Sequence, residues 1–374
     1  MEEIGHLLLP WYDRFHRELP WRGVQDPYAI WVSETMLQQT RVETVRSYFP
    51  RFMARFPSLA ALAQAPLEDV LKCWEGLGYY RRAQNLHRGA QQVMDAYGGR
   101  LPADPAALRR ITGIGPYTAG AIASIAFGIP CPAVDGNVIR VVSRVAGIRE
   151  DVAVPSVARQ ITATAASWIP PQRPGDFNQA LMDLGASHCC PGTPDCARCP
   201  LASLCNAYAT GDAEELPHKS RSTPPRLLPY DVVLLRQENR MLLRQRTENL
   251  LQGLWVFPLL EGEKTPAQLV KALKRSLGLS CTYIRPLGPA RHVFTHQVWE
   301  MRLHLLHASG TAPAGYQFAT TNEINALPIP TAMRRPKALA IMTEIAGTAH
   351  IDDTKKNRHV VVSGVDENGA PCEK

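Results

Sequence analysis

Four closely spaced cysteines near the middle of the chain restrict its fold more than any other feature. They follow the pattern Cys189-x6-Cys196-x2-Cys199-x5-Cys205, which places four thiols within 17 residues. Four thiolates at this spacing can surround one tetrahedral ion or cluster, and zinc and an iron–sulfur cluster both accept such a set. The spacing leaves the choice between them open. Cys190 is adjacent but out of register, and we treat it as a bystander.

The composition is that of a folded protein with two or three domains of about 150 residues each. The chain has 374 residues, of which 45% are hydrophobic and 20% are charged. No apolar run approaches the roughly 20 residues that a membrane-spanning helix requires. Residues 1–19 resemble neither a signal peptide nor a transit peptide. These features exclude secreted, fibrous and membrane-spanning classes, and we expect a monomeric protein of the bacterial cytoplasm, associated with the nucleoid.

The net charge of +7 permits an anionic partner such as DNA. Residues 1–210 contain 20 Lys and Arg residues against 18 Asp and Glu residues, and Lys72 is the only lysine among them. If nucleic acid binds to this half, arginines, backbone amides and helix ends must provide most of the contacts.

Helical periodicity dominates residues 1–210, which we therefore predict to be an all-α domain. The N-cap Asp26 and the following Pro27 predict a helix that runs towards Phe49 and ends near Pro50. Further helices are predicted at Leu59–Gly76, Arg81–Tyr97, Pro105–Thr112, Thr118–Phe127, Asn137–Val145 and Val157–Trp168.

The composition changes after the cysteines, and the second half reads as α+β. Residues 211–228 are polar, basic and rich in proline, which predicts a linker. Residues 229–349 then form a second predicted domain, and residues 350–374 are patternless and predicted to be a disordered tail. Predicted strands are Asp231–Arg236, Met241–Arg246, Leu254–Leu259, Thr282–Leu287 and Val298–His307, and the predicted helix is Leu269–Leu277.

Two glycines, Gly113 and Gly115, precede the helix that is predicted to begin at Thr118. A helix N-terminus after a glycine turn exposes amide donors and the positive end of the helix dipole, which suits a phosphate group. Because a helix also precedes this turn, the segment reads as a helix-hairpin-helix. A tight turn without a ligand is the alternative interpretation.

Two carboxylates are candidates for catalysis. Glu34 lies three residues after Trp31 and three before Leu37, so it shares the apolar stripe of its helix. Burial raises the pKa of a carboxyl group, as a general acid near neutral pH requires. Asp135 precedes the helix at Asn137, and a carboxylate pair facing one cleft suits cleavage of a glycosidic bond. The alternatives are a structural role for Glu34 and a plain N-cap role for Asp135.

An aromatic turn, Gly76-Leu77-Gly78-Tyr79-Tyr80, follows a predicted helix. A turn of this kind can wedge between stacked bases. A role of its two tyrosines in the core is the competing interpretation.

Together these motifs resemble the MutY-type A/G-specific adenine DNA glycosylases of the endonuclease III-like superfamily. The matching segments occur in family order over residues 20–210: WVSETMLQQTRVETV, WEGLGYYRRAQNLH, GIGPYTAGAIASIAFG, AVDGNVIRVVSR, NQALMDLGASHC and the cysteine loop. Residues 291–296 (RHVFTH) resemble the family's lesion-sensing loop. The resemblance implies a two-lobed all-α helix-hairpin-helix glycosylase domain, one 4Fe–4S cluster in loop 189–205, and a Nudix-like lesion-recognition domain.

The resemblance also implies the substrate, which is adenine opposite 8-oxoguanine or guanine in double-stranded DNA, removed during base excision repair. Glu34 would protonate the flipped adenine and later serve the attacking water. Asp135 would stabilise the oxocarbenium ion or bond to it covalently, positioned by Tyr117 and Asn137. For this, the pKa values of Glu34 and Asp135 have to be pushed apart, with Glu34 protonated and Asp135 ionised.

Further contacts follow from the same resemblance. Trp21, Arg22 and Leu37 would line the base pocket. The residues implied to enter the duplex are Gln39, Thr40, Leu77, Gly78 and Tyr79; those at a phosphate are Gly113 and Gly115; those at the lesion are Thr295 and His296; and the cluster ligands are Cys189, Cys196, Cys199 and Cys205. The family more often has serine where Thr295 stands, and the hydroxyl is retained.

Three other functions compete with this interpretation. A bifunctional glycosylase/lyase needs a lysine amine, but Tyr117 stands where related lyases carry it, so we predict a monofunctional enzyme. A Nudix hydrolase needs glutamates to hold magnesium, but Ala272, Arg275 and Ser276 occupy those positions, which predicts a binding module. The third alternative is a non-enzymatic DNA-binding or redox-sensing protein.

Overall fold

The computed structural model describes residues 2–220, 223–334, 347–352, 359–365 and 371–373. The chain divides into two compact units, Met1–Thr223 and Pro224–Lys374. The first is helical and the second is built on a mixed β-sheet. The expected fold classes of the two halves are confirmed.

The first unit contains a series of mostly short helices separated by proline and glycine. In chain order they are α1 (Glu2–Phe15), α2 (Pro27–Leu37), α3 (Val42–Arg55), α4 (Leu59–Gln64), α5 (Leu67–Cys73), α6 (Arg81–Tyr97), α7 (Pro105–Leu108), α8 (Pro116–Phe127), α9 (Gly136–Ala146), α10 (Pro155–Trp168), α11 (Pro174–Ser187) and α12 (Asn206–Thr210). Two 3-10 turns, Cys196–Arg198 and Ala202–Leu204, lie in the cysteine loop.

These helices form two lobes. In the first lobe, α2 packs against α3, α6 and α8, and α6 also contacts α4 and α5. In the second lobe, α1, α9, α10 and α11 surround a core that includes Leu8, Val141, Ile161 and Phe177. Since α11 also packs against α8, the lobes are joined along one side. Within the described residues, no helix combines the length and the apolarity needed to cross a membrane.

Helix α2 begins as the sequence predicts but ends early. The side chain of Asp26 accepts hydrogen bonds from the amides of Tyr28 and Ala29, with Pro27 at the first helical position. The prediction of one helix as far as Phe49 is wrong, because the chain turns after Leu37. Pro50 lies inside the next helix, α3, rather than at the end of the first.

The predicted helix Leu59–Gly76 is divided in the structure. Ala65 is extended, with φ of −67° and ψ of 147°. It precedes Pro66, and proline disfavours helical backbone at the residue before it. Two short helices, α4 and α5, therefore replace the single predicted one.

As far as Arg334, the second unit has one mixed sheet and three helices. Its elements are β1 (Arg226–Gln237), β2 (Arg240–Gln245), β3 (Trp255–Val256), β4 (Leu259–Glu261), α13 (Pro266–Leu277), β5 (Ser280–Val293), β6 (Gln297–Ser309), β7 (Tyr316–Thr320), α14 (Thr321–Ala326) and α15 (Thr331–Arg334). The strand order is β3-β2-β1-β6-β5, with β4 beside β1 and β7 beside β2. The β1–β6 pair is parallel and the others are antiparallel.

The segment predicted as a linker, 211–228, belongs partly to both units. Ala213 and Leu216 are buried against Ala207 of α12, and the Leu216 carbonyl accepts a hydrogen bond from Arg144. At the other end, β1 begins at Arg226. The connection between the two units is therefore shorter than the linker predicted from composition, because apolar contacts hold its first part and strand pairing holds its last part.

The segment predicted as a disordered tail, 350–374, contains regular structure. Strands β8 (Gly347–Asp352), β9 (His359–Val365) and β10 (Pro371–Glu373) form an antiparallel sheet in the order β10-β9-β8. Strand β9 contains three consecutive valines, and β-branched residues favour strands. The remaining parts of that prediction, 353–358, 366–370 and 374, lie outside the described residues.

Candidate active site

A cleft of about 490 Å³ in the first unit brings together nine of the predicted site residues, including both candidate catalytic carboxyl groups. Both lobes contribute to its walls, since α2 and α8 belong to one and α9 and α11 to the other. The predicted residues that line it are Trp21, Arg22, Glu34, Leu37, Gln39, Thr40, Tyr117, Asp135 and Asn137. Arg17, Gln179 and Met182 also line it, although the sequence did not single them out.

Glu34 is held in a helix that is buried on every side. All residues of α2 from Tyr28 to Met36 are buried, and Glu34 is only 6% exposed. Burial raises the pKa of the Glu34 carboxyl, while the Tyr117 hydrogen bond and the charge of Arg22 oppose that shift. The net direction is upward, which favours the protonated form that a general acid needs.

Tyr117 donates its hydroxyl hydrogen bond to Oε2 of Glu34. The expectation that Tyr117 positions Asp135 is therefore corrected, because its hydrogen bond goes to the other carboxyl. Tyr117 is the second residue of α8, and α8 packs directly against the helix that carries Glu34. The burial of Tyr117 raises the pKa of its phenol well above its usual value, so it acts as a hydrogen-bond donor at neutral pH.

Asp135 is the N-cap of α9 and also faces the cleft. Its Oδ1 accepts from the Val138 amide at 2.8 Å, and its Oδ2 accepts from Nδ2 of Asn137 at 2.9 Å. Burial raises the pKa of Asp135, whereas these donors oppose the shift. The N-cap interpretation is correct, and the cap also places a half-buried carboxylate in the cleft.

The pKa values of Glu34 and Asp135 are expected to be pushed apart, and burial raises both of them. The two groups differ in their donors. The described hydrogen bonds give Asp135 one backbone amide and one side-chain amide, and they give Glu34 a single phenol. Because donors stabilise the ionised form, Asp135 is the better supported of the two as an anion.

A buried ion-pair network fixes Arg22 in the cleft wall. Its Nη2 donates to Oδ1 of Asp183 at 3.0 Å, and its Nη1 donates to the Tyr12 hydroxyl at 2.6 Å. Arg17 binds the same carboxylate of Asp183. The sequence could not indicate this network, because Asp183 lies more than 160 residues after both arginines.

Arg140 connects the cleft to the cysteine loop, and this too was missed from sequence. Its Nη2 donates to Oδ1 of Asn137 at 2.9 Å, and its Nε donates to the carbonyl oxygen of Cys189 at 2.6 Å. Since Asn137 also donates to Asp135, two side chains separate the cysteine loop from the cleft carboxylate.

The four predicted ligand cysteines line one small cavity in the second lobe, and all four are free thiols. Nη1 of Arg144 lies 3.3 Å from Sγ of Cys189, so a cation adjoins the thiol set. Within the described part of the chain, no three metal-binding side chains are placed so that they could hold a single metal ion. Four thiols around a cavity, with a neighbouring guanidinium, fit a negatively charged cluster.

The predicted DNA-facing turns lie in the first unit. Gly113 adopts a φ of +87°, and the space that a Cβ would fill at Gly115 is open, so a ligand can approach the start of α8. Tyr79 is 49% exposed with a φ of +48°. Leu77 is buried, however, and its side chain does not project as expected, because it packs into the core of its lobe. The adjacent Gly78 is half-buried.

Thr295 and His296 lie in the second unit, at the turn between β5 and β6, and both are exposed. Phe294 anchors this turn, since its ring lies 4.9 Å from that of Trp299 and its amide donates to the Gln297 carbonyl. The turn therefore exposes the Thr295 hydroxyl and the His296 imidazole next to the anchored Phe294.

Comparisons with known proteins agree with this architecture. A model described as HhH-GPD superfamily base excision DNA repair protein matches residues 32–171, and a NUDIX domain model matches residues 231–338. The adenine DNA glycosylase of Homo sapiens is 37% identical over 393 residues, which cover 88% of this chain and 72% of the human protein. This chain belongs to the adenine DNA glycosylase family.

Other relatives are consistent with that assignment. The adenine DNA glycosylase of Buchnera aphidicola subsp. Acyrthosiphon pisum is 35% identical over 257 residues, covering 68% of this chain and 73% of the relative. The structure of a thermostable thymine-DNA glycosylase is similar with a TM-score of 0.51 and 28% identity, over 56% of this chain and 97% of that one. Adenine DNA glycosylases are base excision repair hydrolases that act on N-glycosyl bonds in DNA, and the described cleft is their candidate active site here.

Proposed function

We propose that this adenine DNA glycosylase hydrolyses adenine from 8-oxoguanine·adenine and guanine·adenine pairs in duplex DNA and leaves an abasic site. One observation carries the proposal: the buried Glu34 and the half-buried Asp135 line the same cleft, and neither is hydrogen-bonded to a cationic side chain among the described residues. A buried carboxyl group without such a partner is costly, so its presence calls for a chemical role.

The proposed chemistry assigns a different protonation state to each carboxyl group. Glu34 gives its proton to N7 of the flipped adenine, and the N9–C1′ bond then breaks with its electron pair leaving on the base. The ionised Asp135 opposes the positive charge that develops on the sugar. Water attacks C1′ and loses its proton to Glu34, which restores the acid for the next turnover.

The surrounding side chains support these roles. The hydrogen bonds that Asp135 accepts from Asn137 and from the Val138 amide hold its carboxylate in place and favour its charge. Tyr117 fixes the orientation of the Glu34 carboxyl. The base pocket would be completed by Trp21, Arg22 and Leu37, which line the same cleft.

The enzyme would be monofunctional, since a lyase step needs an amine to form a Schiff base. None of the described residues that line the cleft is a lysine. Lys72 pairs with Glu75 on the surface of α5, with Nζ at 2.8 Å from Oε2. Covalent trapping of the protein on DNA by borohydride in high yield would contradict this part of the proposal.

We infer that Cys189, Cys196, Cys199 and Cys205 would hold a 4Fe–4S cluster, since all four thiols line one cavity and no three metal-binding side chains in the described residues are placed to hold a single ion. When bound, the cluster would cross-link the loop rather than take part in hydrolysis. Arg144, beside Cys189, would offset its negative charge. Chelation should weaken DNA binding in a gel-shift assay more than it slows adenine release from bound DNA.

The second unit would recognise the lesion rather than hydrolyse nucleotides. Thr295 and His296 are exposed at the anchored β5–β6 turn, where they can reach an 8-oxoguanine base. On α13, the positions expected to bear the Nudix glutamates are Ala272, Arg275 and Ser276, which provide no carboxylate for magnesium. Phosphate or pyrophosphate release from 8-oxo-dGTP would contradict this assignment.

The experiment that tests the proposal uses duplexes with one 8-oxoguanine·adenine pair, with or without alkali after incubation. We expect strand breakage at the adenine only after alkali, and no breakage with the Asp135→Asn variant. A duplex with a thymine in place of the adenine is the matched control. Breakage without alkali, or equal breakage by the variant, would contradict the proposal.

A further inference from the structure

One guanidinium group joins the two exposed turns of the first lobe. The first turn, Gln38–Arg41, follows α2, and the second, Gly76–Tyr80, precedes α6. They are about 40 residues apart in sequence. Arg82, in the first turn of α6, reaches both of them with its side chain. The sequence gave no sign of this role, because the acceptors are mostly backbone oxygens.

In the first turn, Arg82 completes the end of α2. Its Nη1 donates to the carbonyl oxygens of Thr35 and Met36, both at 2.9 Å, and also to that of Gln38. Its Nη2 donates to the Thr40 hydroxyl at 3.0 Å. The last carbonyls of a helix lack partners within the helix, and a cation there both satisfies them and complements the dipole.

In the second turn, Nη2 of the same arginine donates to the carbonyl oxygens of Leu77 at 3.3 Å and Gly78 at 3.2 Å. The guanidinium also lies 5.4 Å from the ring centres of both Trp74 and Tyr79. Burial lowers the pKa of Arg82 to about 10, so it is charged at neutral pH. Six oxygen acceptors and two aromatic rings thus share a single cation.

Each turn contains one exposed non-glycine residue with left-handed backbone. Gln39 has a φ of +54° and Tyr79 a φ of +48°, and in the described part of the first unit they are the only non-glycine residues with positive φ. Such backbone is unfavourable for residues with a side chain and persists only where the surroundings enforce it. Arg82 binds carbonyl oxygens immediately before both residues, Gln38 and Gly78.

We propose that Arg82 is a positioning residue that holds Gln39 and Tyr79 in their duplex-entering arrangement before DNA binds, and so lowers the free energy needed to extract the adenine. The inference rests on the proposed function, in which these two residues fill the gap left by the base. If Gln39 and Tyr79 already form this wedge in the free protein, they do not lose conformational entropy when DNA binds. Lysine cannot replace this arginine, since an ammonium group has three donors and no planar fork.

The test compares Arg82→Lys with wild type on two duplexes that contain the same 8-oxoguanine·adenine pair. One is fully paired, and in the other the flanking pairs are mismatched, which reduces the cost of unstacking the adenine. We expect single-turnover adenine release from the paired duplex to fall by about tenfold or more, equivalent to about 1.4 kcal/mol. On the mismatched duplex the loss should be much smaller. Arg81→Lys, an exposed neighbour, is the matched control and should equal wild type on both.

The outcomes separate this inference from the proposed function. If wild type releases adenine from neither duplex, the proposed function fails. If wild type is active and Arg82→Lys loses activity equally on both duplexes, or on neither, the positioning role is wrong. A second measurement on DNA-free wild type applies even if the variant does not fold. Amide hydrogen exchange should show Thr40 and Leu77 protected, and rapid exchange at both would contradict a preformed wedge.

Discussion

Two buried carboxyl groups, one in each unit, have different hydrogen-bond partners. In the second unit, Asp231 is fully buried and accepts hydrogen bonds from Nε and Nη2 of Arg302 at 3.0 and 2.8 Å, from Nε2 of His304 at 3.1 Å and from the Lys264 amide at 2.8 Å. In the first unit, Glu34 is almost as buried but accepts from the Tyr117 phenol.

The difference separates a structural acid from a chemical one. A carboxylate surrounded by donors and a cation is satisfied, and its removal leaves the partner charge unpaired. A carboxyl group that burial keeps near protonation can give up or take a proton during a reaction. Asp135 belongs with Glu34, since amides rather than a guanidinium hold it.

The largest effect should come from Asp135→Asn, which removes the negative charge in the cleft but keeps the size of the side chain. We expect single-turnover adenine release to fall by at least about a thousandfold, because the developing positive charge on the sugar loses its counterion. DNA affinity, measured by gel shift on the same duplex, should change little. Retention of a near-normal rate would place the chemistry elsewhere.

The next largest effect is expected for Glu34→Gln, which cannot donate a proton to the leaving base. General acid catalysis contributes about 100-fold to 10,000-fold, so the single-turnover rate should fall within that range. A substrate whose base leaves without protonation should be released at nearly the wild-type rate. An equal loss on both substrates would mean that the substitution disturbs the cleft instead.

The same chemical change in the other unit, Asp231→Asn, should affect stability and not chemistry. Breaking a buried ion pair costs about 3 kcal/mol or more, and Arg302 is partly exposed, which favours the lower end. Urea unfolding followed by circular dichroism would measure the loss. Single-turnover adenine release at a temperature where the variant is folded should match wild type, and a large loss of rate would remove the distinction between the two acids.

A smaller effect is expected for Tyr117→Phe. The Tyr117 hydrogen bond lowers the pKa of Glu34, so its removal should raise that pKa further. Glu34 would then stay protonated to a higher pH, and the alkaline limb of the rate profile should move to higher pH. The acidic limb, which depends on ionised Asp135, serves as the internal control and should not move.

Much of the first unit could be predicted from the sequence because its signals are local. The cap formed by Asp26 and Pro27, the glycine turn before α8 and the apolar neighbours of Glu34 are all read within a few residues. The burial of Glu34 depends on the helices that pack against α2. The position of Glu34 on the apolar stripe of its helix already predicted that burial.

The parts that sequence could not provide depend on long-range contacts. At the early end of α2, the carbonyl oxygens are bound by Arg82, which lies more than 40 residues later in the chain. The network of Arg22 with Asp183 and the path from Cys189 through Arg140 to Asn137 join distant segments in the same way. Leu77 was wrongly predicted to project from its turn. The turn can be read from the local sequence, but the burial of Leu77 depends on other segments that pack against it.

The pH dependence of single-turnover adenine release by the wild-type enzyme tests the central claim most directly. Two carboxyl groups that act in different protonation states should give a rate that falls on both sides of an optimum. The rate should decrease at low pH as Asp135 becomes protonated, and at high pH as Glu34 ionises. A rate that stays constant or rises on either side would show that one of the two carboxyl groups does not take part in the chemistry.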